Sequence, residues 1–91
     1  MPFSTSYSDE LKGILSKLLK KDKVRYEILM KKIEQISLCG EYEIEHYKNL
    51  MHGQSDRKRV HVDKSFALTF RVDRQRKHIF FLDFEHHDKV Y

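Results

Sequence analysis

Apolar and polar residues alternate in two different periods along this chain, and the change of period divides it. Near the start, Phe3, Thr5 and Tyr7 alternate with Ser4 and Ser6, which is the two-residue period of a short strand. Ser8 before Asp9 and Glu10 then reads as a helix start. A serine hydroxyl can accept an orphan backbone N–H, and the acids face the positive end of the helix dipole. Leu11, Ile14, Leu15, Leu18 and Leu19 follow at helical spacing, with Lys12, Lys17 and Lys20 on the far side. Asp22 caps a second helix whose apolar stripe, Ile28, Leu29, Ile33 and Ile36, runs until Gly40. Tyr26 and Met30 read as packing residues of that helix. So short a connection predicts an antiparallel helical hairpin laid across one face of a sheet.

Between positions 41 and 56 the pattern dissolves, ending in the turn-like cluster Gly53, Gln54, Ser55, Asp56. The two-residue period then returns and predicts strands over about 58–63, 66–72 and 78–85, the last two joined by a turn at 73–77. Alternation predicts a helix-covered face built on Val60, Val62, Phe66, Leu68, Phe70, Phe80, Leu82 and Phe84. The opposite face would carry Arg59, His61, Thr69 and Arg71. His87 would follow the phase of Ile79, Phe81, Asp83 and Glu85 onto it. The last strand, apolar on both sides, is expected to be central. The order β-α-α-β-β-β predicts an α+β fold of two layers, a helical hairpin on a twisted antiparallel four-stranded sheet.

Composition bounds this picture. At 91 residues, with 40% hydrophobic and 35% charged, the chain is expected to form one domain over 1–91 with a single small core. No apolar run approaches a membrane span, and positions 1–7 lack the basic start and apolar stretch of a signal peptide, so the expected location is the cytoplasm. The single cysteine, Cys39, forms no internal disulfide and builds no cysteine zinc site; it reads as a packed thiol. The net charge of +4 is moderate, but its distribution is uneven. Arg57, Lys58, Arg59, Lys64, Arg71, Arg74, Arg76 and Lys77 share a window with only Asp63 and Asp73. That local excess favours a polyanion, with nucleic acid the first candidate, and a solvated basic face is the plain alternative.

Six histidines add candidate chemistry. A phosphodiester can be cleaved without a metal when a neighbouring 2′-hydroxyl loses its proton, a cation neutralises the phosphate, and an acid protonates the leaving oxygen. Imidazole suits both proton transfers, and arginine's planar fork suits the phosphate. Arg59, His61, His87 and Tyr91 are the residues expected to meet in such a site, the tyrosine stacking on a base. Surface or core packing is the competing reading of each histidine. His46, His52, His78 and His86 fit the constellation less well. No metal or other cofactor is expected, since adjacent His86 and His87 would point to opposite faces.

The stretches R-x-R-V-x-V at 57–62 and F-x-L-x-F-x-V-D at 66–73, a basic turn, an apolar strand and a histidine-containing V-Y ending resemble the RelE/ParE superfamily of toxins from toxin–antitoxin modules. The resemblance covers most of the chain and implies helices on one side of a twisted sheet. It further implies an endoribonuclease that cuts mRNA in the ribosomal decoding site by 2′-oxygen attack. Position by position, His61 and His87 match the histidines of the His-rich, YafQ-like branch. Phe66 matches an aromatic beside that site, and Tyr91 the aromatic at the chain end. Arg57, Lys58, Arg59 and Arg71 would bind substrate. Two positions depart from the pattern: Ala67 stands where the RelE-like branch commonly has arginine, and Ser65 replaces an acid of the His-rich branch. The resemblance also implies a small antitoxin partner, besides ribosome and mRNA. A gyrase-inhibiting ParE-like binder and a degenerate toxin that only binds its antitoxin stay open as alternatives.

Overall fold

The computed structural model describes residues 3–48 and 57–86. Strand β1 (Ser4–Tyr7) leads into helices α1 (Asp9–Lys21) and α2 (Lys23–Ser37), then a single-turn helix α3 (Glu41–Ile44), and finally strands β2 (Arg57–Val62), β3 (Phe66–Asp73) and β4 (His78–His86). Ser8 caps α1 as its sequence demands: its hydroxyl oxygen accepts Leu11 N–H at 3.0 Å and its O–H donates to the Leu82 carbonyl. One side chain thus closes a helix and ties it to the sheet. Asp22 caps α2 by accepting Arg25 N–H at 3.1 Å. Caps of this kind contribute about 1 kcal/mol each. Helix α3, which the mixed pattern after Gly40 did not predict, starts where Glu43 Oε1 accepts Gly40 N–H at 3.0 Å and buries Ile44.

The sheet order is β1-β4-β3-β2, so β4 is interior as expected. Strands β2, β3 and β4 are antiparallel, but β1 lies parallel to β4, with Ser4 opposite His78 and Tyr7 opposite Phe81. The sheet is therefore mixed rather than wholly antiparallel. The cause is topological: two helices return the chain to the side from which β1 left, as a crossover between parallel strands must. Asp63 and Lys64 turn between β2 and β3 with φ of 50° and 46°, the left-handed region in which tight hairpin turns are built.

The core joins Leu11 and Leu15 of α1 and Leu29, Ile33 and Ile36 of α2 to Val62, Leu68, Phe70, Ile79, Phe81 and Phe84 of the sheet. One part of the expected face assignment is overturned here. Ile79 and Phe81 are fully buried, while Phe80 and Leu82 are only partly so. The register explains it: Phe70 pairs with Phe81 and Thr69 with Asp83, leaving Leu82 as the extra residue of a β-bulge. One inserted residue reverses the phase, so Ile79, Phe81 and Phe84 all reach the helices. No described helix is long and apolar enough to cross a membrane.

Candidate functional site

The face of the sheet turned away from the helices carries the basic residues in register. Arg57, Arg71, Phe80 and Ser6 form one row across all four strands. Arg59, Thr69 and Asp83 form a second, and His61, Ala67 and Glu85 a third. At strand rise, His61 stands about 7 Å from Arg59 and about 13 Å from Arg57 along β2. Arg57, His61 and Arg71 are exposed and Arg59 half-buried, whereas Ala67 is only 1% exposed. Arg57, Arg59, His61 and Arg71 therefore share one face, with the acids Asp83 and Glu85 at its β4 side. His87 and Tyr91, the other two expected members, lie outside the described residues, as does His52.

Two residues expected to bind substrate stand elsewhere. Lys58 alternates with Arg57 and Arg59, so it enters the covered layer and is 2% exposed. Its Nζ donates to the Tyr47 carbonyl at 3.0 Å and lies 3.8 Å from Glu45. A buried ammonium held by a carbonyl and a carboxylate is a structural tie, not a phosphate ligand. Phe66 likewise belongs to the covered side. Its ring stacks on Phe84 at 5.0 Å, meets the His86 ring edge-on at 5.3 Å and sits under the Arg25 guanidinium at 4.4 Å. Arg25 in turn pairs with Asp22 and, at 3.5 Å, with Asp63. Phe66 thus anchors the β2–β3 turn to α2, across the sheet from His61.

Glu45 joins Lys58 to Arg74, whose guanidinium grips both carboxylate oxygens. That hydrogen-bonded pairing with Arg74, helped by the Lys58 charge, holds the Glu45 carboxyl below the usual carboxylate range. A carboxyl whose folded value is depressed stabilises the fold above its unfolded value and loses that contribution as pH falls through the folded one. Glu45→Gln should lower stability by about 0.2–1 kcal/mol at pH 7, because the pair is largely solvated. The gap to the parent should close as pH drops below about 4.3, as urea melts across that range would register. Cys39, half-buried, has its thiol pushed up by burial and by nearby Glu43, so its reactive thiolate is scarce at neutral pH.

Sequence reasoning passed over His78. Its ring is held at both nitrogens, Nδ1 2.7 Å from Ser4 Oγ and Nε2 2.7 Å from Ser6 Oγ. The signal was present in the alternation of Ser4 and Ser6 along β1, but only the parallel register with β4 turns it into a cluster.

Comparison with known proteins agrees with this architecture. A Methanocaldococcus jannaschii protein whose name marks it as a candidate RelE4 toxin is 48% identical over 81 residues, covering 89% of this chain and 82% of the relative. A Methanosarcina mazei protein of no assigned role is 40% identical over 83 residues, covering 90% and 91%. No protein-family model matches. Among solved structures, the toxin–antitoxin complex RelBE2 from Mycobacterium tuberculosis contains a chain that superposes with a TM-score of 0.63 at 12% identity, covering 94% of this chain and 99% of that one. A conserved Helicobacter pylori protein gives 0.64 at 13% identity, covering 98% and 99%. At such identities the structural likeness speaks for the fold.

Proposed function

Since the chain belongs to the RelE family of toxins from toxin–antitoxin modules, we propose that it cuts mRNA on the ribosome without a metal, using the open face of its sheet. The observation that carries this reading is that His61 shares one strand face with Arg57 and Arg59, and that Arg57 pairs with Arg71 of the next strand. An imidazole takes the proton of a 2′-hydroxyl, and the freed oxygen attacks the adjacent phosphorus. The bond to the 5′-oxygen breaks, and a second proton donor delivers a proton to that leaving oxygen. The products are a 2′,3′-cyclic phosphate and a 5′-hydroxyl end. Arginine forks neutralise the charge that grows on the phosphate oxygens. In this reading His61 and His87 share the two proton transfers, Arg59 holds the scissile phosphate, Arg57 and Arg71 hold its neighbours, and Tyr91 stacks on a base.

A short antitoxin is the second partner of this reading. The solved RelBE2 relative is itself a toxin–antitoxin complex, and a basic face suits an acidic polypeptide that orders on contact. The absence of a cation at Ala67 favours one other reading, a toxin of the same fold that acts by binding, on gyrase or on its antitoxin alone. Primer extension on mRNA from expressing cells separates them. New 5′ ends in phase with codons are expected; intact message would overturn the nuclease reading, and intact message with damaged DNA would point to gyrase.

A further inference from the structure

At the β1 side of the open face, Ser6, Arg71, Asp73, Arg76, His78 and Phe80 line a cleft of about 330 Å3. That is at the small end of the range, about 300–1,000 Å3, in which proteins hold small ligands. The hydrogen bonds around His78 leave acceptor capacity on Ser6 in either tautomer of the ring. Ser4 Oγ lies 2.7 Å from Nδ1 and 3.3 Å from the Lys77 carbonyl. When Nδ1–H donates to Ser4, the Ser4 proton goes to that carbonyl and Nε2 accepts from Ser6; when Nε2–H donates to Ser6, Nδ1 accepts from Ser4. In both arrangements Ser6 Oγ keeps a lone pair for a donor in the cleft. Such an atom suits a hydroxyl donor.

The other walls differ in chemistry. The Arg71 guanidinium sits 6.0 Å from the centroid of the half-buried Phe80 ring, giving a flat cationic and aromatic surface. Asp73 is offset locally, its Oδ1 accepting Arg76 N–H at 3.1 Å and its Oδ2 lying 3.9 Å from Arg76 Nε. The lining therefore keeps an excess of positive charge. A phosphate donor pair, a stacking surface and an acceptor for one hydroxyl together describe a ribonucleotide.

We propose that this cleft seats one nucleotide of a bound RNA strand, with Arg71 and Arg76 on its phosphate, its base against Arg71 and Phe80, and its 2′-hydroxyl donating to Ser6 Oγ. The proposal rests on the RNA-cutting reading above and adds a subsite to it. Arg71 lies in the row of Arg57, about 13 Å along the strand direction from His61. The cleft thus holds a neighbour of the cleaved nucleotide rather than that nucleotide itself. It lets the toxin distinguish RNA from DNA away from the reacting bond.

The test uses the full chain and two labelled single strands, hexauridylate and its deoxy counterpart, in fluorescence anisotropy titrations. The parent is expected to favour the RNA, and Ser6→Ala to weaken RNA binding about three- to tenfold while leaving DNA binding unchanged. Ser6→Thr, which keeps the hydroxyl, should retain the preference, and Arg71→Gln should weaken both strands alike. A Ser6→Ala protein that still favours RNA to the parent's degree overturns the ribose contact. Amide shifts separate the two levels of the idea. RNA that perturbs Arg59 and His61 but not Ser6 and His78 overturns the cleft and leaves the nuclease reading standing; RNA that perturbs neither set also overturns the cleft, while the nuclease reading, which needs the ribosome, is decided by primer extension.

Discussion

Phe81→Ala is expected to lower the unfolding free energy by about 3–5 kcal/mol, a large part of the stability of a domain of this size. Phe81 is fully buried in the interior strand, with the Phe70 and Tyr7 rings each centred 5.8 Å away. Truncation would open a cavity between β1, β3 and the helices that no neighbour is long enough to refill. Phe80→Ala, one residue earlier, is the control. Its ring lies on the open face, so the loss should stay near 1 kcal/mol. Paired urea melts of the two proteins therefore test the bulge directly, since the phase read from sequence alternation predicts the reverse order of damage.

His61→Ala should slow ribosome-dependent mRNA cleavage about 10²–10⁴-fold, the usual contribution of one positioned acid or base. Arg59→Ala should cost about 10²–10³-fold through lost charge neutralisation at the phosphate. Lys58→Met makes the contrast informative. Its ammonium is committed to the Tyr47 carbonyl, so the variant should lose about 1–2 kcal/mol of stability and keep the rate of the parent once folded. Single-turnover cleavage assays on programmed ribosomes, with circular dichroism to confirm folding, would measure all three. Full activity in His61→Ala would remove the imidazole from the mechanism. Loss of activity in well-folded Lys58→Met would return Lys58 to the substrate.

Much of the fold was legible because single residues announce it. Ser8 and Asp22 cap the helices they precede, and the alternation in β2 and β3 assigns faces without help from the rest of the chain. What failed is equally specific. Ile79, Phe80, Phe81 and Leu82 are apolar in succession, so nothing in their order reveals which pair faces inward, and the inserted Leu82 is invisible without the partner strand. Lys58 occupies the same phase as Val60 and Val62, and its charge concealed that position. The basic face around Arg59 and His61 could be anticipated from β2 alone. The His78 cluster could not, because its serines lie 72 and 74 positions away.

The parallel pairing of β1 with β4 also governs when this protein comes into existence during its own manufacture. The first strand made must wait for the last of the four before its backbone finds a partner, and contacts between residues so distant in sequence form slowly. A growing chain can wind both helices and zip β2 to β3, yet it has no complete sheet and no seat for Ser6 beside His78. The ribosome that builds the molecule thus releases β4 before the four-stranded face exists.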